Sequence, residues 1–137
     1  MKNYRDVLSG FYGFNVDDTW DEEMFHLLAS LNKLGLRTKF HCIGHKKGDA
    51  LYVMFDENLS DDLVLLLALL FSPNGNKGDN ELYMPIEGFS LYKWARYNNG
   101  VLSLNWIMEI QYCDNSFLFK DRKKLAESMA VFLDKIV

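Results

Sequence analysis

Apolar residues recur along this chain at two spacings, and the changes from one to the other divide it into helices and hairpins. Between Thr19 and Leu34, the residues Trp20, Met24, Leu27, Leu28, Leu31 and Leu34 form one stripe at helical period. Thr19 and Glu22 stand at capping-box spacing at its start, and Gly35 is placed to end the helix in a left-handed turn. From Leu36 the period becomes two. Leu36, Thr38, Phe40 and Cys42 are expected to face the core, and Arg37, Lys39 and His41 the solvent. Residues 45–49 then turn the chain into a second strand, Leu51 to Phe55, giving a hairpin with a basic outer face.

Ser60, Asp61 and Asp62 precede the apolar run Leu63 to Phe71, whose nine residues fall far short of the roughly 20 needed to span a bilayer. The acids mark a helix start, although so short a run also fits a buried strand. Residues 72–80 gather Pro, Gly, Asn and Asp and read as an exposed flexible loop. A second hairpin follows: Phe89 to Tyr97, the turn Asn98-Asn99-Gly100, then Val101 to Tyr112. In its second strand Leu102, Leu104, Trp106, Met108, Ile110 and Tyr112 alternate with Ser103, Asn105, Glu109 and Gln111, with Ile107 breaking the polar face. From Asp121, Leu125, Met129, Phe132, Leu133 and Ile136 make a final helical stripe, while residues 4–14 stay unassigned. The pattern predicts a single α+β domain over residues 1–137: an antiparallel sheet of two hairpins, with about three helices packed mainly on one face.

Composition adds two points. Aromatic residues are 15% of the chain, more than a small core requires, so some rings are candidates for surface anchors. The net charge of −4 argues against a dedicated nucleic-acid binder. Two cysteines, Cys42 and Cys113, at no scaffold or zinc-finger spacing suggest a reducing compartment. The first residues lack a signal-peptide pattern, so a cytoplasmic location is expected.

Charge clusters carry the candidate chemistry. Asp17, Asp18, Asp21, Glu22 and Glu23 place five acids in seven positions around Trp20, more than one helix N-terminus uses. Asp56, Glu57, Asp61 and Asp62 form a second acidic group, which extends the first if the two helix starts lie together. The opposite feature is Arg37, Lys39, His41, His45, Lys46 and Lys47, a basic stretch that would suit an anion or RNA. Solvated strand and turn positions, with charges that guard a sheet edge, explain it adequately. His41, Cys42 and His45 are zinc-type donors, but alternation along a strand sends His41 and Cys42 to opposite sides, so no metal site and no cofactor are expected. His26 falls on a helix flank with no partner pattern, and no P-loop, dinucleotide, nucleophile-elbow or H-E-x-x-H motif is present.

These features suggest a non-enzymatic, protein-binding domain. The leading expectation is a small acidic immunity or inhibitor protein that blocks the basic surface of a toxin such as a nuclease, through Asp17, Asp18, Trp20, Asp21 and Glu23 with Asp56, Glu57, Asp61 and Asp62. The alternatives are a chaperone-like or assembly protein that takes an extended peptide on its second hairpin, and an RNA- or anion-binding domain using Arg37, Lys39, His41, Lys46 and Lys47.

Overall fold

The computed structural model describes residues 3–46, 48–73, 82–112 and 119–136. A short helix, α1 (Tyr4–Asp6), runs into a π-helical turn, Val7–Phe11, which sets Leu8 in the core. A 3₁₀ turn (Glu22–Met24) leads into α2 (Phe25–Lys33). Then come β1 (Thr38–Cys42), β2 (Leu51–Phe55), α3 (Asp61–Phe71), β3 (Phe89–Asn98), β4 (Val101–Ile110) and α4 (Phe119–Asp134). The strands form one antiparallel sheet in the order β1-β2-β4-β3. This is the expected α+β architecture, and the run after Ser60 is the helix α3. The flexible loop expected at 72–80 lies, apart from Ser72 and Pro73, outside the described residues, as does Lys47.

Helix α2 is buried from Phe25 to Asn32, all round its surface. Its polar residues are therefore satisfied internally. Asn32 donates to the Leu28 carbonyl (2.8 Å) and the Thr38 hydroxyl (2.9 Å), and Ser30 donates to Asp134 of α4 (2.6 Å). The helix ends as its sequence demands: the Leu36 amide bonds the Leu31 carbonyl and the Gly35 amide that of Asn32, with Gly35 at φ +87°. Its start differs from expectation. Thr19 turns back, its amide donating to Asp17 Oδ1 (2.8 Å), so the capping box does not form, and the α-helix begins only after the 3₁₀ turn.

The two hairpins differ in regularity. Between β3 and β4 the register is unbroken from Phe89↔Ile110 to Asn98↔Val101, and the two-residue turn has Asn99 at φ +53° and Gly100 at φ +80°, as a type I′ turn requires. Between β1 and β2 the register slips between Thr38 and Phe40. That bulge inverts the alternation that follows it. Thr38 is buried on the helix side, whereas Phe40 and Cys42 come round to the outer face, opposite Met54 and Tyr52, and His41 packs beneath the strand on Trp20 at 4.8 Å. The inward placing of Phe40 and Cys42 and the outward placing of His41 are thus reversed.

Leu51, Val53, Phe55, Met108 and Ile110 join Leu27, Leu31, Val64, Leu67, Met129 and Leu133 in one hydrophobic cluster. The three longer helices occupy that face of the sheet. The opposite face has no helix over it among the described residues.

Candidate functional site

The uncovered face is built by residues of one parity from each strand. Phe40 and Cys42 come from β1, Tyr52 and Met54 from β2, Ile107 and Glu109 from β4, and Tyr92, Trp94 and Arg96 from β3. With Gln111 they line a shallow concavity of about 880 Å³. Phe40 is 49% exposed, Trp94 47% and Tyr92 41%, large apolar surface in one continuous patch. Ile107, which interrupts the polar pattern of β4, forms its buried floor between Met54 and Tyr92. The polar groups are already organised. The Tyr92 hydroxyl donates to Glu109 (2.5 Å), and burial, reinforced by that carboxylate, pushes the phenol up to about 12. The Arg96 guanidinium lies 5.5 Å from the Trp94 ring and 3.6 Å from Glu57.

Beyond this concavity the β3–β4 hairpin carries apolar side chains on its helix-side surface too, with Tyr97 78%, Leu102 50% and Leu104 48% exposed, and Val101 63% exposed at the turn. Asp61 of α3 receives the Trp106 indole N–H (2.8 Å) and Lys93 (2.9 Å), fixing where helix cover stops. The indole, then the lysine, hold the Asp61 carboxyl below its ordinary range.

The acidic residues singled out from sequence are mostly spent on the fold. Asp17 caps Thr19, which lowers its carboxyl. Asp21 accepts the Ile43 amide (3.0 Å) and pairs with His45 (2.8 Å), and Glu23 lies 3.6 Å from Lys123. Asp18 approaches Arg5 only at 3.9 Å, in the open. Trp20 packs among Phe14, Phe25 and His41 at the core margin and is no protruding anchor. In the second group, Asp56 pairs with Arg37 (3.7 Å), and Glu57 with Lys39 and Arg96. The Lys39 bond is the largest cause that brings Glu57 down to about 2. Of these acids, Asp17 is hydrogen-bonded by Thr19 alone, and Glu22 and Asp62 make no ion pair, among the described residues. The two acidic groups lie at opposite ends of β1, beside Ile43 and Arg37, and do not merge.

In the basic stretch, Arg37 and Lys39 are taken up by the same bonds, as the partners of Asp56 and Glu57, and His45 by Asp21. His41 faces inward, where burial pushes it below its ordinary value against the opposing pull of Asp21, and its Nδ1 has no hydrogen-bond partner among the described residues. Two residues left no local signal because their partners lie 76 to 108 positions away. His26, on a helix flank with no partner in the local sequence, is buried, stacked on Tyr4 at 4.1 Å, with Nδ1 on Glu127 (2.8 Å) and Nε2 on Asp134 (2.7 Å). Burial tends to raise Asp134, but Ser30 and then His26 hold it below its ordinary value. Arg122 is also buried: it reaches across to donate to the carbonyls of Gly44 and Lys46 (3.1 Å for the latter) and lies 4.4 Å from the Tyr112 ring, which accounts for a cation in the first turns of α4.

Asp21, Cys42 and His45 bring one ligand atom each within 4.8 Å of one another. His41 and Cys42 do diverge, as alternation requires. Cys42 and His45 instead meet on a carboxylate from the turn before α2.

No helix among the described residues is long and apolar enough to cross a membrane. Residues 11–132 match the YoqC prophage protein family, and the chain belongs to that family. No curated protein and no solved structure matches it.

Proposed function

We propose that this prophage-family chain is a non-enzymatic protein-binding domain of the inhibitor or immunity kind, acting in the cytoplasm, and that its contact surface is the open face of the sheet. One observation carries the reading: Phe40, Tyr92 and Trp94 stand exposed around a concavity whose floor is apolar and whose polar groups, Glu109, Tyr92 and Arg96, are already paired and oriented. Aromatic and arginine side chains in such a setting contribute most of the energy in protein interfaces. Membership of a prophage protein family is compatible with this role and leaves the partner open. The exposed carboxylates of Asp18, Glu22 and Asp62, with the net charge of −4, favour a basic partner and act on its rate of approach more than on final affinity.

The reading is tested with the tagged chain as bait in lysate of the lysogenic host, followed by affinity measurement on any stoichiometric partner. Phe40→Ala and Trp94→Ala should each weaken binding by about ten- to a hundredfold. Charge reversal at Asp18 and Glu22 should change mainly the association rate and its salt dependence. The opposite pattern, with the aromatic variants neutral and the reversals abolishing binding, returns the contact to the acidic end of the molecule.

A second reading, assembly by strand addition, is favoured by the edge of the sheet. No described strand pairs with the outer side of β3. The two-residue turn makes Asn98 and Val101 a hydrogen-bonded pair, so Leu91, Lys93, Ala95 and Tyr97 direct their backbone groups outward. Two copies paired antiparallel about Trp94 would set Tyr92 against Arg96 and Leu91 against Tyr97, with no like charges opposed. Sedimentation equilibrium of the purified chain decides it: a dimer that Ala95→Pro converts to monomer supports strand addition, and a wild-type monomer at high concentration removes it.

A further inference from the structure

We infer that Asp21, Cys42 and His45 form a binding site for a divalent transition metal of the zinc type. The site adjoins the open face through Cys42 but rests on other observations, so the inference does not depend on the protein-binding reading. A thiolate, an imidazole and a carboxylate are the donor types zinc and cobalt take, and the sulfur disfavours magnesium or calcium. With donors within 4.8 Å of one another, metal–ligand bonds of about 2.0–2.3 Å need the widest of these gaps to close by roughly 1 Å. Three protein donors leave the fourth tetrahedral position to solvent or to a group on a partner.

The geometry around the donors is what a ligand set needs. Asp21 Oδ2 is held by the Ile43 amide (3.0 Å), which leaves Oδ1 turned toward His45 Nε2 at 2.8 Å. The Gly44 amide donates to Cys42 Sγ (3.4 Å), which orients the sulfur. The loop that carries Cys42 and His45 is fixed far beyond the needs of a surface hairpin. Buried Arg122 holds the Gly44 and Lys46 carbonyls, the Tyr112 hydroxyl donates to the Ile43 carbonyl (3.2 Å), and Asp49 accepts the amides of His45 (3.3 Å) and Lys46 (3.1 Å). A Cβ at Gly44, which has φ +89°, would stand 2.7 Å from Arg122 Nη1. This second layer fixes ligand direction before any ion arrives. Asp17, Asp18 and Glu22 line the same concavity as Asp21 and His45, and their charge raises the local concentration of cations. The acidic cluster thereby acquires a use that capping one helix does not exhaust.

The test is a cobalt(II) titration of the reduced, full-length chain, read by absorption. The site predicts 1:1 binding, a thiolate-to-cobalt charge-transfer band with tetrahedral ligand-field bands, and displacement by zinc. Cys42→Ser should abolish the charge-transfer band and Cys113→Ser should leave it. His45→Ala, at an exposed position, and Asp21→Asn, which keeps an acceptor for the Ile43 amide, should each weaken binding at least tenfold with the circular dichroism unchanged. Absence of a thiolate band, or a band that survives Cys42→Ser or is indifferent to both His45→Ala and Asp21→Asn, overturns the assignment.

Discussion

The two hairpins of this sheet are held together in different ways. In β3–β4, ten-residue strands meet at a two-residue turn whose backbone alone fixes register, so its side chains are left for other uses, and Tyr92, Trp94, Tyr97 and Leu102 stand exposed. In β1–β2, five-residue strands, a bulge and a longer connection give the backbone little authority. Register and loop are set instead by side chains from elsewhere: Asp21 before α2, Arg122 of α4, Tyr112 after β4. A hairpin specified by its backbone is free to display a contact surface. One specified by distant side chains concentrates polar groups, and with them the potential for chemistry.

The largest effect that separates the hairpins should come from Arg122→Ala. It leaves the Gly44 and Lys46 carbonyls without their charged donor and should cost about 3 kcal/mol in urea unfolding, with the β1–β2 loop losing amide-exchange protection and β3–β4 keeping it. If the two hairpins lose protection together, the contrast is wrong. Smaller is Gly100→Ala, which forces a side chain into φ +80° at the type I′ turn and should cost about 1–2 kcal/mol while cobalt binding stays unchanged.

Acid should destabilise the fold in two steps. His41 is pushed down by burial, so below its ordinary value of 6.5 the unfolded chain takes up the proton first, and stability falls as the pH drops from 7. His41→Phe should flatten that limb of the pH profile, and a slope retained in the variant would locate it elsewhere. Asp134 and Glu57 are lowered in the folded state, Glu57 to about 2, so their contribution is present at neutral pH and is lost only in a separate step below about pH 4.5. The smallest effect is expected from Asp18→Lys with Glu22→Lys, within about 0.5 kcal/mol of wild type by thermal or chemical unfolding.

The same contrast explains what could be read from the sequence. The alternation of β4 and its Asn99-Gly100 turn gave the right strand and the right faces, because local rules govern that hairpin completely. The stripe of α2 and its Gly35 stop were equally legible. The faces of β1 were inverted because a bulge after Thr38 leaves no mark in a five-residue pattern. The charge clusters were visible but their meaning was not, since Arg37 with Asp56 and Lys39 with Glu57 neutralise one another across nearly twenty residues of chain. His26 and Arg122 were opaque for the same reason: the carboxylates and carbonyls that make them acceptable in the interior come from the other end of the sequence.

The central claim, that the open aromatic face is where this protein meets its partner, is tested most directly by calorimetric titration of the captured partner into wild type and into a folded Phe40→Ala, Trp94→Ala double variant. Affinity should fall by about a hundredfold or more, with the unfolding midpoint near that of wild type. An unchanged affinity in a folded double variant would contradict it.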